Sequence, residues 1–192
     1  MARRAVFIDR DGTLSAEAGL IRDPSDLELF PFATSAVKRI NRAGWQAVVI
    51  TNQPWIGHGE MSEDELADVH EQLRQLLLVE DARLDGIYHC PHHPEATVER
   101  YKTICDCRKP GIGMLQRAAD EMGVELPLSF VVGDRLCDIE AALKAGSRPV
   151  LVRTGRGSET EQQIADSPLK AAHVADDLGQ ALDWIFEQSE GG

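Results

Sequence analysis

Ala5-Val6-Phe7-Ile8-Asp9-Arg10-Asp11-Gly12-Thr13 is the stretch from which the rest of the chain can be read. Four consecutive apolar residues read as a short buried strand. Two carboxylates follow it at once, Asp9 and Asp11, separated by Arg10. In an open α/β sheet, ligands bind just outside the carboxyl ends of the strands. Two acids at such a place repel each other, and a hard cation such as Mg²⁺ offsets that repulsion best. The first carboxylate can then attack phosphorus while the second handles protons.

A chain of 192 residues is expected to form one domain over 1–192, large enough to bury a substantial core. Short apolar runs alternate with helix-like stretches, which predicts βαβ units and a mostly parallel central sheet flanked by helices. Strands are expected near Ala5–Ile8, Ala47–Ile50, Gly86–His89, Phe130–Val132, Val150–Val152 and Ala172–Val174. Helices are expected near Ala33–Ala43, Ser62–Val79, Gly113–Met122, Asp138–Ala145 and Leu178–Phe186. Ser62 can cap its helix, with Glu65 three residues on. Gly44 and Gly146 stand where a helix should stop before the next strand. The segment from Leu14 to Phe32 has room for a flap but not for a large cap domain. The site is therefore expected to be open, with loops selecting the substrate.

The formal net charge of −12 argues against a nucleic-acid or anionic-membrane surface, since those partners need a basic face. A phosphorylated small molecule needs only a local cluster of cations. No run is long enough to span a bilayer. The segment Met1 to Asp9 meets acid too early for a signal peptide. A cytoplasmic monomer is the expectation.

Three further segments supply partners for the first. Val48-Val49-Ile50-Thr51-Asn52-Gln53 ends a strand on a hydroxyl that can bond a phosphoryl oxygen, with loop N–H groups beside it. Cys107-Arg108-Lys109-Pro110 carries a point charge in Lys109 and a fork in Arg108. Phe130-Val131-Val132-Gly133-Asp134 ends another strand on an acid, and Asp138 follows four residues later. D-x-D-G-T, the strand-end Thr, the Lys and the G-D-x-x-x-D pair together resemble the HAD-like phosphohydrolases. That resemblance implies a Rossmann-like fold with Asp9 as nucleophile and Asp11 as acid and base. Thr51 and Lys109 would steady the transferring phosphoryl. It also implies Mg²⁺ held by Asp9, Asp134 and the backbone carbonyl of Asp11. Asp138 would support the metal through water, orient Lys109 or cap its helix. Arg135 would touch the substrate. Asp11 favours a phosphatase over a dehalogenase, because an alkoxide leaving group needs a proton and a halide does not.

A second cluster lies at about 88–108. Cys90-Pro91-His92-His93-Pro94 and Cys105-Asp106-Cys107 offer soft or borderline donors in two close pairs, which suits a closed tetrahedral zinc site. Either His92 or His93 satisfies the spacing. The polar residues 94–104 cannot build a core of their own, so a metal clamp would order them and also place Arg108 and Lys109. Cys137 lies outside the cluster and is expected to be a packed thiol.

With this loop included, the motifs resemble the heptose 1,7-bisphosphate phosphatase family within the HAD-like proteins. The related histidinol-phosphate phosphatases have a shorter stretch between the two ligand pairs. The resemblance favours His92 over His93. It implies removal of the 7-phosphate, with Arg108 recognising the substrate, and the sugar met by Glu17, Ala18, Gly19 and Leu20 and by the loop Asn52, Gln53 and Pro54. The chain departs from the family's T-N-Q-S-G-I-x-R-G loop, reading Thr51-Asn52-Gln53-Pro54-Trp55-Ile56-Gly57-His58-Gly59. Histidinol phosphate or another small sugar phosphate as substrate, and a zinc-stabilised binding module without turnover, are the competing readings. The complete set Asp9, Asp11, Thr51, Lys109 and Asp134 weighs against the second of these.

Overall fold

The computed structural model describes residues 3–16 and 19–190. Six strands, β1 (Ala5–Ile8), β2 (Gln46–Asn52), β3 (Gly86–Cys90), β4 (Phe130–Gly133), β5 (Arg148–Val152) and β6 (His173–Ala175), form one sheet in the order β3-β2-β1-β4-β5-β6. Every pairing is parallel. Parallel neighbours need crossovers. The helices are α1 (Ala33–Arg42), α2 (Pro54–Gly57), α3 (Glu63–Leu78), α4 (Gly113–Met122), α5 (Leu136–Ala145), α6 (Gly157–Ala165) and α7 (Leu178–Glu190).

The unbroken apolar run of β1 has a simple cause, because both faces of the sheet are covered. Val6 and Ile8 pack with Val37 and Ile40 of α1, Leu66 and Leu73 of α3, and Leu182 and Ile185 of α7. Ala5 and Phe7 face the other way, toward Met114 and Leu115 of α4 and Ala141 and Ala142 of α5. The stripe Leu66, Val69, Leu73 and Leu77 is wholly buried. Burial of such a side chain stabilises by roughly 1.5–3 kcal/mol. Ser62 caps α3 as expected: its hydroxyl accepts from the Glu65 N–H at 3.1 Å, and Glu65 accepts from the Ser62 N–H at 2.7 Å. Gly146 ends α5 in the left-handed region, at φ 73°.

Several elements differ from expectation. α5 begins at Leu136, so Asp138 sits inside its first turn. β6 lies one residue beyond the expected strand. α2 and α6 were not anticipated; α6 starts at Gly157 with no side-chain cap, so no local signal announces it.

The strand order creates the site. From β1 the chain winds outward through β2 and β3. It then returns to β4 on the other side of β1 and winds the opposite way. Such a reversal opens a crevice at the carboxyl ends of the two central strands. Asp9 and Asp134 follow β1 and β4 directly into it. Between β1 and α1, the described residues carry a 3₁₀ turn at Pro24–Asp26 and isolated bridges at Ser15, with no cap domain. Among the described residues, no helix is long and apolar enough to cross a membrane.

Candidate active site

Asp9 and Asp134 are buried, at 5% and 0% exposure. Lys109 reaches Asp9 from the β3–α4 connection, a hundred residues away in sequence. Its Nζ donates to Asp9 Oδ1 at 2.7 Å and to the Ile50 carbonyl at 2.9 Å. It also pairs with Asp138 Oδ1 at 2.6 Å. Asp138 Oδ2 accepts from the Arg135 N–H at 3.0 Å. Asp138 therefore both orients Lys109 and caps the first turn of α5.

Oxygens of Asp9, Asp134 and Asp138 lie within 4.8 Å of one another. Three carboxylates face one ammonium, which leaves two negative charges to balance. The strain is visible in each group. Burial pushes the Asp9 carboxyl up to about 8, against the pull of Lys109 and aided by Asp138 and Asp134. Burial lifts Asp134 to about 6, offset by the Arg156 N–H that donates to its Oδ2 at 2.8 Å. Burial works against the charge on Lys109, but Asp138 and Asp9 outweigh it and hold the amine above its ordinary value. Asp134 Oδ1 is buried without a hydrogen-bond partner. An all-oxygen donor set, a formal excess of two charges and an orphaned carboxylate oxygen fit a divalent cation such as Mg²⁺.

A pH dependence follows from these shifts. A carboxyl raised on folding holds its proton more tightly when folded. The stability it lends is complete below its unfolded value and is lost as pH rises through the folded one. Without metal, thermal stability should fall as pH rises through about 6 and then about 8, the values of Asp134 and Asp9. The gain in Tm on adding Mg²⁺ should therefore grow between about pH 5 and about pH 8. Melts in EDTA and in Mg²⁺ measure this; a pH-independent gain counts against cation binding at these carboxylates.

Asp11 lines the same cleft as Asp9 and Lys109. Arg10 Nε and Nη2 donate to its two oxygens, each at 2.8 Å. Gln53 Nε2 donates to Asp11 Oδ2 and to Thr51 Oγ1, both at 2.9 Å. Asn52 does not simply face substrate. Its side chain bonds both backbone groups of Lys109, accepting from the N–H at 3.0 Å and donating to the carbonyl at 3.1 Å. That clamp fastens the Lys109 loop to the end of β2. Gly12 lies at φ 89°, and a Cβ there would collide with the Asp134 carboxylate.

A cleft of about 410 Å³ brings together Asp9, Asp11, Thr51, Asn52, Gln53, Pro54 and Lys109, with Gly19, Arg108 and Arg135 on its walls. Leu20 packs, partly buried, against the core and is not among the residues that line the cleft. The chain turns at Gly19, which leaves the apolar neighbour pointing inward. Glu17 and Ala18 lie outside the described residues. Trp55 and Cys137 also line the cleft, and Trp55 is anchored on the core at the same time. Arg156 is a lining residue that sequence reasoning missed. The run Thr154-Gly155-Arg156-Gly157 directly after the buried β5 was the available signal, since a Cβ at Gly155 would strike Asp134 and Gly12.

The second donor cluster forms beside the cleft. Cys90 ends β3, and its Sγ lies 3.5 Å from Cys105 Sγ and 2.9 Å from Cys107 Sγ. His92 Nδ1 lies 3.3 Å from Cys107 Sγ and 3.7 Å from Cys90 Sγ. His93 turns away, its Nδ1 accepting from the Glu95 N–H at 3.1 Å and its ring packing on His58. The structure thus groups His92 with the three thiols. Three sulfurs and one imidazole nitrogen with no open position are the donors a tetrahedral zinc prefers. The loop between the pairs also supports the cleft wall. The Val98 N–H donates to the Gly57 carbonyl at 3.0 Å, and Thr97 Oγ1 donates to the His58 carbonyl at 2.8 Å.

A family model described as HAD-hydrolase-like matches residues 106–181. The D-glycero-β-D-manno-heptose-1,7-bisphosphate 7-phosphatase of Escherichia coli K12 is 38% identical over 162 residues, covering 84% of this chain and 85% of that protein. The enzyme of that name from Photorhabdus laumondii is 40% identical over 163 residues, 84% of this chain and 86% of its own. The crystal structure of the D,D-heptose 1,7-bisphosphate phosphatase of B. bronchiseptica, complexed with magnesium and phosphate, superposes with a TM-score of 0.84. The two are 29% identical, over 97% of this chain and 99% of that one.

Proposed function

The chain belongs to the heptose 1,7-bisphosphate 7-phosphatase family of HAD-like hydrolases, and from that premise we propose that it removes the 7-phosphate of D-glycero-D-manno-heptose 1,7-bisphosphate, with Mg²⁺ as cofactor. The observation that carries the proposal is the buried Lys109–Asp9 pair beside Asp134, facing a cleft walled by Arg108, Arg135 and Arg156. A neutralised nucleophile in a cleft that also carries several guanidinium groups suits a substrate with two phosphates.

Asp9, Asp134 and the Asp11 carbonyl would hold the Mg²⁺, which when bound neutralises phosphoryl oxygens as negative charge builds on them. Lys109, fixed by contacts to Asp9, Asp138 and the Ile50 carbonyl, adds positive charge to the same group. Asp9 then attacks phosphorus in line, and Asp11 protonates the departing alkoxide. Asp11 next takes a proton from water, which hydrolyses the aspartyl-phosphate on Asp9. Thr51 steadies the phosphoryl oxygens, and Arg108 and Arg135 bind the phosphate that stays. Positioning and charge stabilisation do most of the work in such transfers.

Zinc at Cys90, His92, Cys105 and Cys107 is proposed as structural, placing Arg108 and Lys109. Reduced thiols in that role suit a cytoplasmic setting. One chain, as a single domain over 1–192, is proposed as the catalytic unit; Asp9, Asp11, Thr51 and Lys109 gather in one cleft on its single six-stranded sheet.

Phosphate release from heptose 1,7-bisphosphate, histidinol phosphate and 4-nitrophenyl phosphate, each with Mg²⁺ and with EDTA, tests the proposal. Mg²⁺-dependent preference for the heptose bisphosphate supports it. Preference for another phosphate moves the substrate, with the stiffer Pro54–His58 segment as the cause. No turnover of any of them removes the catalytic reading.

A further inference from the structure

Arg10 separates the two catalytic carboxylates in sequence yet takes no part in the chemistry above. Asp9 and Asp11 line the cleft, while the Arg10 side chain is turned behind it and wholly buried. On burial grounds an apolar residue would suit the position better, since a buried charge is costly unless it is well paired. Its partner is specific. Nε takes Asp11 Oδ1 and Nη2 takes Asp11 Oδ2, each at 2.8 Å, a fork on both oxygens that a lysine could not form.

The surrounding groups direct that fork to Asp11. Among the described residues, Asp11 is the one ion-pair partner of Arg10. His70 of α3 is pushed down to about 2 by burial and then by Arg10, so it is neutral and shares none of the charge. Gln53 Nε2 adds a donor to Asp11 Oδ2 at 2.9 Å, while the single Ser15 hydroxyl proton is shared between the Arg10 carbonyl at 3.2 Å and Asp11 Oδ1 at 3.4 Å. The Arg10 carbonyl accepts from the N–H groups of Leu14 and Ser15, both at 2.9 Å, which closes the backbone turn around Asp11. Side chain and main chain of one residue thus fix the plane and the place of the Asp11 carboxyl group.

We propose that Arg10 is a positioning residue that aims Asp11 at the leaving-group oxygen, with Gln53 as its second support. The proposal rests on the phosphatase reading. In the first half-reaction the Asp9 oxygen–phosphorus bond forms, the bond from phosphorus to the substrate oxygen breaks, and the Asp11 proton passes to that oxygen. In the second, a water oxygen bonds to phosphorus, its proton passes to Asp11, and the Asp9–phosphorus bond breaks to release phosphate. Only the first half-reaction depends on the leaving group. An alkoxide needs the proton from Asp11, whereas a nitrophenolate departs without it. Misaiming Asp11 should therefore be felt selectively.

The test compares kcat/KM for heptose 1,7-bisphosphate and for 4-nitrophenyl phosphate in wild type, Arg10→Lys, Arg10→Met and Gln53→Met. Circular dichroism and thermal melts report folding. The Arg10 variants should lose about 100-fold on the alkyl phosphate and less than about fivefold on the aryl one, the lower range of a general acid's contribution. Gln53→Met should show the same asymmetry, at about tenfold. Equal losses on both substrates, or no loss, in a folded variant would overturn the proposal, because a merely structural role lowers both alike. Should the Arg10 variants fail to fold, Gln53→Met decides by the same criterion. A wild-type chain that turns over neither substrate defeats the phosphatase reading itself, and this proposal with it. Wild-type activity with symmetric losses defeats this proposal alone.

Discussion

Asp9→Asn should abolish Mg²⁺-dependent phosphate release, by about 10⁴-fold or more, as expected when the group that forms the covalent intermediate is removed. The fold should survive, because Asn keeps the shape and Lys109 retains Asp138 and the Ile50 carbonyl. Metal-free Asp9→Asn should in fact melt no lower than wild type near neutral pH. With a folded value near 8, Asp9 must take up a proton to fold near neutral pH, and an amide needs none. The Tm gain on adding Mg²⁺ should shrink at the same time, since one oxygen donor is gone. Phosphate release paired with melts in EDTA and Mg²⁺ measures all three effects. An Asp9→Asn protein with a tenth of wild-type activity would exclude Asp9 as the nucleophile.

Removing the zinc proposed for the sulfur cluster should be as damaging by a different route. Cys107→Ser, or stripping with a chelator under denaturing conditions, is expected to lower Tm markedly and cut kcat/KM more than tenfold. Structural zinc contributes about 10–16 kcal/mol of apparent binding energy in small zinc-dependent folds, so the clamp carries much of the order of a loop that lacks a core. Lys109 lies two residues beyond Cys107. Its backbone is otherwise held by Asn52, through two hydrogen bonds at 3.0 and 3.1 Å. The bonds from Val98 and Thr97 to the segment after Pro54 would loosen as well. One zinc per chain in the purified protein, lost together with activity and stability, is the expected result. A folded, fully active, zinc-free protein would show that the four donors are ordinary thiols and a histidine.

Much of the architecture was legible because its signals are local. Ala5–Ile8 is unbroken and apolar since β1 is covered on both faces, and Ser62 with Glu65 announces a helix start through its own hydrogen bonds. Where an element carries no such signal it was missed. α6 has neither a cap side chain nor a turn dipeptide that marks its start. A strand-end position places Asn52 at the cleft but does not state that it also bonds the backbone of Lys109, and a loop sequence does not state which way Leu20 turns.

The chemistry of this protein was determined by the sequence alone: two acids after a buried strand, a third after another, one lysine, and three cysteines with a histidine at metal-ligand spacing. Residue type sets what each group can do, and spacing within a few residues sets which can act as a pair. Only the tertiary structure decided how these groups divide the work. The order of the sheet carries Lys109 across a hundred residues to Asp9, selects His92 over His93, assigns Asn52 to the lysine loop and turns Arg10 onto Asp11. Such contacts join residues far apart in sequence or hang on the direction of one side chain, and no local energy encodes either; they exist only once the core has closed.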